Sequence, residues 1–89
     1  MLQEFLANNF SDDNGMPEGG TVDGVGLDID WQAGPLGEEG PDRLEPNGAF
    51  VETVIAAALQ RIEWYQAVSG GKFACPQNSA TIEHLESAL

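Results

Sequence analysis

Asn47-Gly48-Ala49-Phe50-Val51-Glu52-Thr53-Val54-Ile55-Ala56-Ala57-Ala58-Leu59-Gln60-Arg61-Ile62-Glu63-Trp64-Tyr65-Gln66-Ala67-Val68 reads as one long helix with two apolar stripes. Val51, Ile55, Ala58, Ile62 and Tyr65 step by four, three, four and three. Phe50, Val54, Ala57, Arg61, Trp64 and Val68 form an adjoining stripe. Asn47 is the expected N-cap, and Glu52 places a carboxylate near the positive end of the helix dipole. A helix from about residue 48 to 68 is roughly 30 Å long at about 1.5 Å per residue. Its broad apolar face is more than the remaining chain can cover, which predicts a homo-oligomer.

Toward the C-terminus, Ser69-Gly70-Gly71 ends this helix, and Pro76, tolerated at a first helical position, opens a second over 76–89 with Cys75 before it. Asn78, Ile82, Leu85 and Leu89 step by four, three and four, so an amide shares the apolar face near the helix start. The two helices should form an antiparallel hairpin. The chain stops at Leu89 in mid-stripe, without glycine or a cationic last turn, so more helix is expected to follow in the parent protein.

Toward the N-terminus, residues 34–47 carry Pro35, Pro41 and Pro46 with Gly34, Gly37 and Gly40, and read as a loop that no helix can cross. Before it, Val25, Leu27, Ile29 and Trp31 alternate with Gly26, Asp28 and Asp30, the period-two signature of a strand with one wet face. A hairpin with Thr21-Val22 through a turn at Asp23-Gly24 is one arrangement, and a single strand is the other. Residues 1–20 combine a short apolar patch with Asp12-Asp13-Asn14-Gly15 and Pro17-Glu18-Gly19-Gly20, and read as a flexible acidic segment. The Asp12–Gly15 cluster lacks the ligand alternation and distant bidentate Glu of a calcium loop.

The 89 residues support one small core, here placed in residues 21–89. Fifteen acidic residues against three basic ones give a net charge of −12, with Arg43, Arg61 and Lys72 the only full cations. This excludes sequence-independent binding to DNA, RNA or an anionic membrane, which needs clustered cations. One cysteine cannot form an intramolecular disulfide, and one histidine cannot anchor a multi-histidine metal site. No cofactor is indicated, and a cytoplasmic location fits the cysteine usage and the absence of a leader-like start.

Catalytic chemistry finds no support in the spacing, because His84 lies between carboxylates and Cys75 has no basic neighbour to make it a thiolate. Asn78 is the informative residue. On an apolar stripe its amide needs a partner: free N–H groups at a helix start can hold a phosphate beside it, or the amide can bond the inter-helix turn. Trp64 and Tyr65 can stack on a base or pack as core.

In combination, Gly26-Leu27-Asp28-Ile29-Asp30-Trp31-Gln32-Ala33-Gly34-Pro35, Asn47-Gly48, Arg61-Ile62-Glu63-Trp64-Tyr65-Gln66, Phe73-Ala74-Cys75-Pro76-Gln77-Asn78 and Leu85-Glu86-Ser87-Ala88-Leu89 resemble the phage anti-CBASS and Thoeris anti-defence nucleotide-sponge hairpin family. The resemblance spans residues 25–89. It implies a small oligomer that sequesters bacterial immune second messengers, cyclic oligonucleotides or cyclic ADP-ribose isomers, without turnover. It also implies that Tyr65, with Trp64 as the neighbouring alternative, and Asn78 of the F-x-C-x-x-N turn contribute to a ligand pocket between subunits. Members continue into a basic R-x-R-E-x-R-G-like segment that residues 1–89 do not include. The expected fold is α+β: a short β element over 21–33 packed on an antiparallel two-helix hairpin, self-associated in the bacterial cytoplasm. The other class of reading is an acidic interaction protein or nucleic-acid mimic that engages a basic host protein.

Overall fold

The computed structural model describes residues 4–89. It is α+β, with a three-stranded antiparallel sheet in the order β1 (Phe5–Ser11), β2 (Pro17–Gly24), β3 (Leu27–Trp31), followed by helices α1 (Val51–Gly71) and α2 (Pro76–Ala88). The chain separates into two compact units, one ending at Phe50 and one running Val51–Leu89.

The sheet corrects the reading of residues 1–20 as a flexible segment. Residues 1–3 lie outside the described residues, but Phe5–Ser11 is a strand and Pro17–Gly20 opens the central one. Its turn formers supply only the β1–β2 connection, where the Asp12 carboxylate accepts from the backbone N–H groups of Asn14 and Met16, both at 2.9 Å. Asp12 thus acts as a turn residue. The second hairpin turns at Val25-Gly26, two residues later than expected, because Asp23 and Gly24 pair with Asp28 and Leu27 and belong to the ladder.

Register sorts the sheet into two faces. Phe5, Ala7 and Asn9 stand opposite Gly24, Val22 and Gly20, which stand opposite Leu27, Ile29 and Trp31. Residues directly opposite share a face, so these nine positions make one surface without a charge. The other face carries Leu6, Asn8, Thr21, Asp23, Asp28 and Asp30, and Asn8 Nδ2 donates to Thr21 Oγ1 across it at 3.4 Å. The alternation of Leu27, Ile29 and Trp31 with the two aspartates has the expected origin, whereas Val25 sits in the turn and is fully exposed. Gly20 is the one buried residue among those described, and a Cβ there would run into the Asn8 carbonyl. Only glycine lets β1 approach β2 at that point.

Asn47 does not cap α1, which begins at Val51. Its Oδ1 instead accepts from Ala33 N–H at 2.8 Å, while its own N–H donates to Gln32 Oε1 at 2.9 Å. This amide clamp closes the proline-rich loop 34–46 at its base. Ala49 N–H then donates to Asp30 O at 2.7 Å and Gln32 N–H to Ala49 O at 2.9 Å, forming a parallel bridge with Trp31. Gly48 is required beside it, since a Cβ would lie 2.6 Å from Trp31 O.

In the second unit, α1 packs on α2. The half-buried seam is Ile55, Leu59, Ile62 and Gln66 on α1 and Asn78, Ile82 and Leu85 on α2. It lies on the flank of the first expected stripe that faces away from the second, so Val51, Ala58 and Tyr65 are exposed. Helical geometry lapses at Val68 (ψ 145°), and Ser69 and Gly70 adopt left-handed φ values of 54° and 68°. That reversal turns the chain toward α2, whose N-cap Cys75 is extended and is followed by Pro76 at the first position. No hydrophobic side chain is fully buried among the described residues.

Candidate functional site

Two clefts flank the turn between α1 and α2. The first, of about 610 Å³, runs beside Cys75, Pro76, Ser79 and Glu83. Gln66 enters it from α1 and ties the turn: Gln66 Nε2 donates to Ser79 Oγ at 3.0 Å, and Cys75 N–H donates to Gln66 Oε1 at 3.0 Å. The amide that bonds the inter-helix turn is therefore Gln66, a role considered above for Asn78. Gln66 ends the Ile55, Leu59, Ile62 stripe four residues after Ile62, and an amide closing an apolar stripe was the available signal. This cleft holds one carboxylate and no cation, which makes it a poor place for an anion.

The second cleft, of about 590 Å³, is lined by Arg61, Trp64, Tyr65, Val68, Ser69, Phe73 and Asn78. All three sequence-derived candidates, Trp64, Tyr65 and Asn78, therefore border one space. Trp64 and Tyr65 are adjacent in sequence, and their ring centroids lie 5.5 Å apart with the planes inclined at 57°. They are 45% and 37% exposed, so part of each ring faces solvent. Asn78 is half-buried, and the side-chain hydrogen bonds of the turn are made by Gln66 and Ser79 rather than by its amide.

Arg61 and Phe73 also line the cleft and were not singled out as site residues from the sequence. The Arg61 guanidinium carbon lies 4.7 Å from the Trp64 ring centroid and 4.9 Å from that of Tyr65. Both rings lie one helical turn beyond Arg61, at positions i+3 and i+4, which is the spacing that lets side chains meet. Lys72 Nζ lies 5.8 Å from the Phe73 centroid. The site thus gathers flat aromatic faces, an amide and a cation, which together can hold a planar ring bearing a negative group.

Cys75 is half-buried and His84 is exposed on α2. No group of three or more metal-ligating side chains occurs among the described residues. No helix among them is long and apolar enough to cross a membrane. Comparison with protein-family models, with curated proteins and with solved structures finds no match to the chain.

Proposed function

We propose that this is a phage anti-defence protein that binds and sequesters bacterial immune nucleotide second messengers, cyclic oligonucleotides or cyclic ADP-ribose isomers, in the host cytoplasm without turnover. The observation that carries the reading is the cleft that gathers Trp64, Tyr65 and Asn78 around Arg61, in a chain with only three cations. A base stacks on the exposed ring of Tyr65 or Trp64, Asn78 bonds its edge, and the messenger is withdrawn from its receptor by mass action. In this reading the messenger is held and released unchanged. Self-association belongs to the same reading: with no hydrophobic side chain fully buried among the described residues, further copies cover the exposed apolar side of α1.

Calorimetric titration with cyclic di-AMP and cyclic ADP-ribose tests this. Tyr65→Ala should cost roughly 1 to 3 kcal/mol, about tenfold to a hundredfold in affinity, and Asn78→Trp should block the cleft by bulk. Light scattering should report at least a dimer for all three proteins. Equal affinity in wild type and both variants refutes the site, and a monomer at micromolar concentration refutes the assembly.

One observation favours the second reading, an acidic interaction module or nucleic-acid mimic. Asp23, Asp28 and Asp30 share one face of the sheet, with Asp23 directly opposite Asp28, on a chain of net charge −12. Like charges opposed across strands cost stability, and a basic partner would relieve that cost. Absence of nucleotide binding together with salt-sensitive capture of a basic protein would replace the first reading with this one.

A further inference from the structure

We infer that Arg61 is the phosphate ligand of the Trp64–Tyr65–Asn78 cleft, and that each cleft recognises a nucleoside phosphate as one base plus one phosphate. The inference rests on the nucleotide-binding reading and goes beyond it by assigning the phosphate contact to a residue inside the hairpin rather than to a separate basic segment.

Three observations carry it. Of the three cations, only Arg61 lines the cleft; Arg43 belongs to the loop of the other unit, and Lys72 lies against Phe73. In a chain with fifteen acidic residues, none is among the residues lining this cleft. The reason is positional: its helical neighbours at three and four residues on either side are Ala57, Ala58, Trp64 and Tyr65, so no acid on α1 can reach it. Finally, the guanidinium is held against two rings at 4.7 and 4.9 Å. Contact with ring faces leaves the N–H donors at the guanidinium edge unused, and that planar fork matches two phosphate oxygens. The rings hold the fork in place, so little side-chain freedom remains to be lost on binding.

The charge supply sets the ligand class. One fork per cleft matches one phosphate, and the Tyr65 or Trp64 face beside it matches one base. A cyclic oligonucleotide or a cyclic ADP-ribose isomer each presents such a unit.

The test is calorimetry on the full chain with cyclic di-AMP, cyclic ADP-ribose and, as the phosphate-free control, adenosine. Arg61→Gln should weaken the tighter of the two phosphate-bearing ligands by about tenfold to a hundredfold, the range for loss of a charge-assisted hydrogen bond. Adenosine should bind Arg61→Gln at least as well as wild type, which a general loss of structure could not produce. Arg61→Lys keeps the charge without the fork, and should recover only part of the lost affinity. If Arg61→Gln binds the phosphate-bearing ligand as wild type does, or loses adenosine in equal proportion, the assignment is wrong while the sponge reading stands. If wild type binds neither phosphate-bearing ligand, both fall.

Discussion

Replacing Gln66 with methionine keeps the length of the side chain and removes its amide. In the native hairpin Gln66 Oε1 accepts from Cys75 N–H at 3.0 Å, and Nε2 donates to Ser79 Oγ at 3.0 Å, with a longer contact to Cys75 O at 3.5 Å. The first bond satisfies the backbone donor at the N-cap of α2, where no side-chain cap exists. Two good bonds at about 1 kcal/mol each predict a loss of about 2 kcal/mol, and the 3.5 Å contact adds little. With an m-value of about 1 kcal/mol/M, the urea midpoint should fall by about 2 M at fixed protomer concentration, followed by helical circular dichroism. Gln66→Glu keeps the acceptor for Cys75 N–H and loses the donor to Ser79, so it should lose about half as much. Because the same turn sets the spacing of Tyr65 from Asn78, Gln66→Met should also weaken ligand binding. A loss below about 0.5 kcal/mol, or a Glu variant as unstable as the Met variant, refutes the view that this amide joins the helices.

Two further expectations concern the sheet. Gly20→Ala places a methyl group against the Asn8 carbonyl at a φ of 152°, and should destabilise by about 3 kcal/mol from strain and backbone displacement, read as a lower melting temperature with loss of strand signal. Asp28→Asn removes one of two carboxylates directly opposed across β2 and β3 and should stabilise by about 0.5 kcal/mol in dilute buffer. That gain should shrink in 1 M salt, where the screening length falls to about 3 Å, and a gain unaffected by salt would refute its electrostatic origin.

The missed and shifted elements share a cause. β1 was illegible because Ala7, Asn8 and Asn9 have no strand preference of their own, and the strand exists through its ladder with β2 and the glycine that admits it. The α1 seam was displaced by one position because Ile55 and Ile62 fit two stripes equally well, and only contact with α2 selects Leu59 and Gln66 over Ala58 and Tyr65. In the site, Trp64, Tyr65 and Asn78 were legible as residue types able to bind a base. Arg61 was legible only as a charge, because its role depends on which neighbours the helix brings within reach.

Local chemistry was thus readable from the sequence alone: helices on either side of Ser69-Gly70-Gly71, a start at Pro76, the two-faced strand Leu27–Trp31 and the acidic balance of −12. Each follows from periodicity, punctuation or composition within a few residues. Tertiary structure alone decided that Asn47 clamps Gln32, that Gln66 rather than Asn78 ties the turn, and that Arg61 joins two rings and an amide in one cleft. The clamp and the tie join amides to backbone groups nine to fifteen residues away, and Asn78 reaches the cleft from α2. Such pairings depend on how the chain folds back on itself, which no local pattern of side chains encodes.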